Sequence, residues 1–151
     1  MIILRAPVSG VLLAAVTLTL SFMRPAEMSR DAIPGPVAAR VVSVTDGDTV
    51  LVRARIWLGQ DVETRIRLEG VDAPEMKARC DKERRLAIKA RNFVVARVEG
   101  RTVDLFHIQY GKYAGRVVAR IRDADGDLST AIIAAGLGRP YDGGRRKSWC
   151  G

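Results

Sequence analysis

Three consecutive stretches between residues 37 and 69 read as β-strands, and this pattern constrains the fold more than any other feature. Val37–Thr45 is rich in β-branched residues, whereas Thr49–Leu58 and Glu63–Glu69 alternate apolar and polar side chains. A period of two is typical of strands that bury one face. The expected inward residues are Val50, Val52, Ala54, Ile56, Ile66 and Leu68, and the expected outward residues are Arg53, Arg55, Arg65 and Arg67.

The rest of the domain alternates helical and strand patterns. Asp81–Val98 predicts a helix with a core-facing stripe of Leu86, Ala90, Phe93 and Val94. Two further strands are expected at Thr102–Ile108 and Arg116–Arg122, followed by a short helix at Leu128–Leu137. Five strands, with one helix after the third and another after the fifth, predict a mainly β fold: a small closed barrel of the OB type with two packed helices.

The N-terminal region differs in composition from the domain. Residues 6–23 form an uncharged run, so residues 1–23 are expected to be a signal peptide or an N-terminal membrane anchor. Residues 24–36 contain three prolines and one glycine and predict a linker, which leaves 37–151 as the domain. An exported protein is expected, whether secreted, periplasmic or anchored to the membrane through residues 6–23.

The chain is basic, with a net charge of +8 from 25 basic and 17 acidic residues. This balance favours a polyanionic partner, either nucleic acid or an anionic membrane. A basic protein without such a partner has the same composition, so charge by itself does not decide between them.

Two acidic motifs follow strand patterns. Asp46 and Asp48 flank Gly47, and Asp72 and Glu75 lie in "GVDAPE". Hard divalent cations prefer carboxylate and carbonyl oxygens, so carboxylates at neighbouring strand ends could hold one. Taken alone, however, "DGD" between apolar runs is also a common hairpin turn.

Two arginines occur near these motifs in the predicted topology. Arg67 leads into the loop that carries Asp72, and Arg116 opens a strand after "YGKYAG". A guanidinium binds phosphate through paired donors, and beside a carboxylate-bound cation it could stabilise a phosphoryl transition state. For either arginine alone, a solvated strand face with salt bridges is the better interpretation.

Five motifs in order resemble one known family. "VTDGDTV", "RIRLEGVDAPE", a helix, "KYAGRVVARI" and "LSTAIIAAGLGRPY" are similar to the staphylococcal nuclease (thermonuclease) family, over about Val37 to Tyr141. The resemblance implies an OB-fold barrel. It also implies a Ca²⁺-dependent phosphodiesterase that hydrolyses DNA and RNA and leaves 3′-phosphate ends.

The resemblance also implies roles for individual residues. Asp48 and Asp72 match metal-binding aspartates, and Ala73 stands where the family uses a metal-binding backbone carbonyl. The catalytic set implied is Arg67, Glu75 and Arg116, with the glutamate activating water and the arginines binding phosphate. Tyr113 and Tyr141 resemble nucleotide-contacting tyrosines, and stacking on them favours single strands. "KYAGR" is one residue longer than the family's "KYGR". The protein is expected to be a monomer whose substrate is DNA, RNA or both.

The two cysteines, Cys80 and Cys150, are expected to form a disulfide bond if the domain is exported. The bridge would pin an irregular tail beside the loop that carries Glu75, whereas in a cytosolic protein both would be free thiols. Because no proposed catalytic group lies beyond Arg116, loss of the bridge is expected to lower the melting temperature without abolishing activity.

Two other classes of function remain open at the level of sequence. One is a catalytically inactive module of the same fold that binds nucleic acid or protein. The other is a structural envelope protein, anchored by its N-terminus and basic for anionic lipid. The second leaves the matching positions Asp48, Arg67, Asp72, Glu75 and Arg116 without an explanation.

Overall fold

The computed structural model describes residues 32–111 and 116–150. The segment predicted as signal peptide or anchor and the candidate residue Tyr113 lie outside these ranges. The described strands are β1 (Ala32–Ile33), β2 (Val37–Asp46), β3 (Thr49–Trp57), β4 (Gln60–Leu68), β5 (Val71–Asp72), β6 (Thr102–Tyr110), β7 (Val117–Asp123), β8 (Gly126–Asp127) and β9 (Arg139–Pro140). The helices are α1 (Asp81–Val98) and α2 (Leu128–Ala134).

The five long strands form a closed barrel. Their order is β6-β2-β3-β4-β7, and β7 closes the barrel by pairing with β6. The β4–β7 pair is parallel, and the other pairs in the barrel are antiparallel. With α1 and α2 packed against it, this is the mainly β, OB-type barrel that the sequence predicts, and the fold class is confirmed.

Strand faces agree with the sequence except at two positions. Val50, Val52 and Ala54 are buried as expected, but Ile56 is 54% exposed. The pairing of β3 with β2 ends at Ala54, so Ile56 lies on a hairpin that extends beyond the barrel wall. The second exception is Arg67, which was expected to point into solvent and is instead buried.

The folded part begins before the predicted boundary at Val37. Ala32 and Ile33 lie within the segment predicted as a linker, but they pair with Gln109 and Ile108 of β6. Neither helix in the described part of the chain is long and apolar enough to cross a membrane.

Helix α1 has the predicted bounds, and its predicted core-facing stripe is confirmed in part, at Ala90 and Val94. Its buried residues are Glu83, Ala87, Ala90, Val94 and Val98, whereas Leu86 and Phe93 are only partly buried. The small side chains allow close approach to the barrel. Beyond the helix, Gly100 takes φ +74°, the left-handed conformation that glycine adopts at little cost after a helix end.

The close approach of α1 explains the glycine of "DGD". A Cβ added at Gly47 would lie 2.7 Å from the Cβ of Ala90 and 2.9 Å from the Cβ of Ala73. Any side chain at this position would therefore push the turn away from the helix and from the loop after β5. The glycine thus sets how closely Asp48 approaches the Asp72 loop.

We expect Gly47→Ala to lower the free energy of unfolding by about 1–3 kcal/mol, because it overpacks a site bounded by two methyl groups. Urea denaturation measures the change. Gly144→Ala is the control, since the nearest atom to its added Cβ is 3.5 Å away. Equal stability of the two variants would show that the turn does not pack as described.

Helix α2 is shorter than predicted and ends at Ala134 rather than Leu137. The side chain of Asp127 caps its first turn by accepting from the Thr130 amide at 2.9 Å. Ser129 donates to the Glu69 carbonyl at 2.7 Å, which fixes the helix to the end of β4. The helix thereby supports the strand end that leads into Asp72.

An ion pair joins α1 to the end of β7. Arg97 donates to both carboxylate oxygens of Asp123, at 2.5 and 2.9 Å, and both side chains are largely buried. The bonds from Arg97 hold the pKa of Asp123 below its ordinary value of 3.8, against the opposing effect of burial. A carboxyl group with a lowered pKa stabilises the fold above its unfolded pKa and loses that contribution as pH falls.

We expect Asp123→Asn to lower the free energy of unfolding at pH 7 by about 1–3 kcal/mol, because Arg97 loses its charged partner. The difference from wild type should begin to shrink as pH falls below 3.8, where the carboxyl group of the unfolded chain is protonated, and should disappear once pH is below the lowered pKa of the folded state. Denaturation at pH 7, 5 and 3 measures this. A difference that stays constant with pH would contradict the assignment.

The C-terminal tail is held at both ends. Its start, Arg139–Pro140, pairs with Val71–Asp72. Its end is held by a disulfide bond between Cys80 and Cys150, whose Cα atoms are 5.9 Å apart. The predicted pairing of the cysteines is therefore present, and the tail lies against the loop after β5.

Candidate active site

Asp48 lies in the turn between β2 and β3 and is only 1% exposed. Its Oδ1 accepts from the Arg67 guanidinium and from the Thr49 hydroxyl, the latter at 3.1 Å. Its Oδ2 accepts from the backbone amide of Ala73 at 2.8 Å. These bonds hold the carboxylate against the loop that carries Asp72.

Arg67 occupies the centre of this cluster. It lies on the face of β4 opposite to Ile66 and Leu68, but it is only 7% exposed because acidic side chains pack against it. Besides Asp48, its Nη2 donates to the Val71 carbonyl at 3.3 Å and lies 3.8 Å from Asp72 Oδ1. Alternation therefore predicted the correct strand face for Arg67, but the solvent exposure expected for that face was wrong, because the side chain is buried in ion pairs.

Asp72 is the second buried carboxylate, at 2% exposure. Arg139 lies 3.1 Å from its Oδ2, and the Nε of Arg146 lies 3.1 Å from its Oδ1. That second contact is an ion pair by distance only, since Oδ1 is buried and accepts no well-aligned hydrogen bond within the described residues. One oxygen of Asp72 therefore keeps unused capacity to bind a cation.

Burial dominates the electrostatics of Asp48. It raises the pKa of this carboxyl group to about 7 from the ordinary 3.8, although the Arg67 guanidinium opposes the shift. The negative charges of Asp46 and Glu75 add to the increase, and the Ala73 amide opposes it. A pocket that holds a buried carboxylate against neighbouring negative charges is one that a cation would stabilise.

Glu75 lies just past the buried pair, on a partly exposed loop. Its side chain accepts from the Arg146 guanidinium through Oε1. Glu83 of α1 supports the loop by accepting from the amides of Glu75 and Arg79, at 3.5 and 2.9 Å. These bonds explain why an acidic side chain is buried on the core face of α1.

The predicted phosphate residues line one open cleft of about 1040 Å³, whose walls include Arg67, Glu75, Arg116, Tyr141 and Arg146. Arg116 is exposed and forms no ion pair within the described residues. The Tyr141 hydroxyl donates to the Gly144 carbonyl at 2.7 Å. Asp72 and Ala73 line a neighbouring smaller pocket that shares Glu75 with the cleft. Asp48 lines neither and joins the two through its bonds to Arg67 and Ala73.

The donor set suits a hard divalent cation. Asp48 and Asp72 carry carboxylate oxygens on adjacent loops, and Asp72 Oδ1 lacks a hydrogen-bond donor within the described residues. A second group of close polar atoms, from Cys80, Glu83 and Cys150, does not suit calcium. Both sulfurs of that group are in the disulfide bond, so neither is available as a thiolate ligand.

The sequence did not reveal two arginines of the site. Arg139 and Arg146 both contact Asp72, and Arg146 also contacts Glu75. Arg139 lies in the two-residue strand β9 and Arg146 in the irregular tail beyond it, and neither segment has a periodicity that shows which side chains turn inward. The signal that could have found them is Cys150, because a bridge to Cys80 brings the preceding residues over the Glu75 loop.

A family model described as staphylococcal nuclease homologue matches residues 65–148, which is more than half of the chain. The chain belongs to the staphylococcal nuclease family. A comparison with curated proteins gave no significant match.

Membership of the staphylococcal nuclease family agrees with the barrel and assigns the chain to a nuclease-type or nucleic-acid-binding class. The matched range includes Arg67, Asp72, Glu75 and Arg116. Asp48 lies before it, so its place in the site rests on its contacts with Arg67 and Ala73.

Proposed function

We propose that this protein is a calcium-dependent phosphodiesterase that hydrolyses DNA, RNA or both and leaves 3′-phosphate ends. The observation that carries the proposal is the pair of buried carboxylates, Asp48 and Asp72, that form ion pairs with the buried guanidinium of Arg67, a residue lining the cleft. Burying three charged groups costs free energy of folding, and clusters of buried charged side chains are typical of functional sites.

Asp48 and Asp72, with the backbone carbonyl of Ala73, would hold the calcium ion. When bound, the ion would supply positive charge that offsets the charge growing on the phosphate oxygens. The absence of a threonine side chain at Ala73 does not matter if only the carbonyl is used.

The side chains of the cleft would then bind the scissile phosphate and activate water. Arg67 and Arg116 would donate to phosphate oxygens, Arg67 from a position fixed by Asp48 and Val71, and Arg116 from the open wall. Glu75 would accept the proton of the attacking water through Oε2, which accepts no hydrogen bond within the described residues. Tyr141 would contact a nucleotide, favouring single strands.

An inactive binding module is the second candidate. A module that only binds nucleic acid requires basic and aromatic surface, but it does not require two buried aspartates beside a buried arginine. The contacts among Asp48, Arg67 and Asp72 therefore favour an enzyme.

The test is hydrolysis of labelled single- and double-stranded DNA and RNA by the purified full-length chain, with calcium, magnesium or chelator. We expect cleavage in calcium, faster for single strands, and products with 3′-phosphate ends. Binding of these substrates without cleavage in calcium would support the inactive module instead.

We also propose that the domain acts outside the cytoplasm, which the Cys80–Cys150 bond supports because disulfides persist in oxidising compartments. Alkylation of the native protein before reduction, followed by mass spectrometry, tests this. Two alkylated cysteines in protein isolated from its own cell would contradict it.

A further inference from the structure

The tail that follows β9 supplies a third guanidinium to the cleft. The Nη1 of Arg146 donates to Glu75 Oε1, and its Nε lies 3.1 Å from Asp72 Oδ1. Its remaining nitrogen, Nη2, makes no hydrogen bond within the described part of the chain. Arg146 can therefore keep both carboxylate contacts and still present two N–H donors to a ligand.

The position of Arg146 agrees with a role in binding phosphate. Its side chain lines the same cleft as Arg67 and Arg116, and about a third of it is exposed. A guanidinium oriented by carboxylates on one edge and open on another is preorganised for a planar, charge-assisted contact with an anion. A purely structural ion pair would not need to face the cleft.

The tail around Arg146 is fixed by contacts other than its own. Arg139 donates to the carbonyls of Lys147 and Ser148 and lies 4.0 Å from the Trp149 ring centroid. One residue later, Cys150 is bonded to Cys80, at the N-terminus of α1. These contacts hold an irregular segment in one place, which lowers the entropic cost of presenting Arg146.

We propose that Arg146 is a third phosphate-binding arginine of the cleft, and that the Cys80–Cys150 disulfide holds it in place. This inference rests on the proposed function, since it assigns a substrate contact to the same site. It also extends the expectation for the disulfide, because loss of the bond would then weaken substrate binding as well as lower the melting temperature.

The first experiment measures binding of a nucleoside 3′-monophosphate by calorimetry, in chelator and in calcium. This ligand carries the product's phosphate and has no phosphodiester bond to cleave. Arg146→Ala should weaken binding about tenfold to 100-fold, the usual effect of losing a charge-assisted contact. Arg145→Ala is the matched control, since it removes the same charge from the adjacent position, and it should change the affinity less than twofold.

The second experiment separates binding of phosphate from a structural role. The salt dependence of binding to a single-stranded oligonucleotide, measured in chelator, should lose about one unit of slope in Arg146→Ala and none in Arg145→Ala. Arg146→Lys, which keeps the charge, should restore most of the slope but only part of the nucleotide affinity. Melting curves check that all variants fold.

The third experiment tests the disulfide. Cys150→Ser should weaken nucleotide binding as much as Arg146→Ala, and the double variant should be no weaker than either single variant. Wild-type affinity in Cys150→Ser would overturn the role of the bridge. Affinity and salt slope in Arg146→Ala equal to those of Arg145→Ala, or stronger binding, would overturn the phosphate contact.

Phosphate binding by Arg146 and hydrolysis of nucleic acid can each fail independently of the other. If wild type binds the nucleotide through Arg146 but cleaves nothing in calcium, the hydrolase proposal fails and the phosphate contact stands. If wild type cleaves nucleic acid and Arg146→Ala matches Arg145→Ala in both binding and kcat/KM, the hydrolase proposal stands and Arg146 has no role in phosphate binding.

Discussion

Asp72→Asn should reduce calcium-dependent hydrolysis by about 1000-fold or more, because it removes the charge of a buried cation ligand. The variant should also lose stabilisation by calcium. Wild type should gain about 2.7 kcal/mol when calcium exceeds its Kd a hundredfold. Asparagine keeps the shape of the side chain, so the fold should survive. Rates and melting temperatures with and without calcium measure both effects.

The matched control for this change is Asp142→Asn. Asp142 lines the same cleft, but it is exposed and lies in the tail rather than beside Asp48. Its replacement makes the same change in net charge and should leave the rate and the calcium effect within about twofold of wild type, since rim charges contribute little. Equal behaviour of the two variants would show that Asp72 holds no cation.

Arg67→Lys should lower the rate by about 100- to 1000-fold, which is the usual cost of losing one donor that stabilises transition-state charge. Lysine keeps the positive charge that Asp48 requires, but it loses the fork through which Arg67 contacts Asp48 and Val71 at once. Steady-state kinetics on single-stranded DNA measure the loss, and it should appear mainly in kcat.

Arg65→Lys is the control for this prediction. Arg65 lies on the same strand and the same face two residues earlier, but its side chain is exposed. We expect it to cleave as wild type does. If Arg67→Lys cleaves as fast as Arg65→Lys, the phosphate does not bind where Arg67 lies.

The barrel could be predicted because its information is local. Alternation in β3 and β4 and the apolar spacing in α1 fix strands and a helix without knowledge of partners. Where the burial of a side chain depends on residues distant in the sequence, the same patterns failed. Alternation placed Arg67 on the correct face, but it could not show that Asp48 and Asp72 would cover that face. Ile56 was assigned to the core because the sequence does not show where β2 stops pairing.

The candidate site was predicted where residues lie at strand ends and missed where they lie in the tail. Asp48, Asp72 and Glu75 follow strands whose ends the pattern locates. Arg139 and Arg146 follow a helix whose end was placed three residues late, in a segment without periodicity. Their positions depend on long-range ion pairs, which no sequence pattern records, and on the disulfide, which the two cysteines predicted without showing which side chains of the tail turn inward.

The most direct test of calcium-dependent hydrolysis is the rate at which the full-length chain cleaves a labelled single-stranded oligonucleotide in calcium and in chelator. Asp72→Asn, prepared in the same way, controls for contaminating nucleases. We expect rapid cleavage by wild type in calcium, loss of cleavage in chelator, recovery when calcium is restored, and no calcium-dependent cleavage by the variant. Cleavage that is equally fast in chelator, or equally fast in Asp72→Asn, would contradict the proposed calcium-dependent reaction.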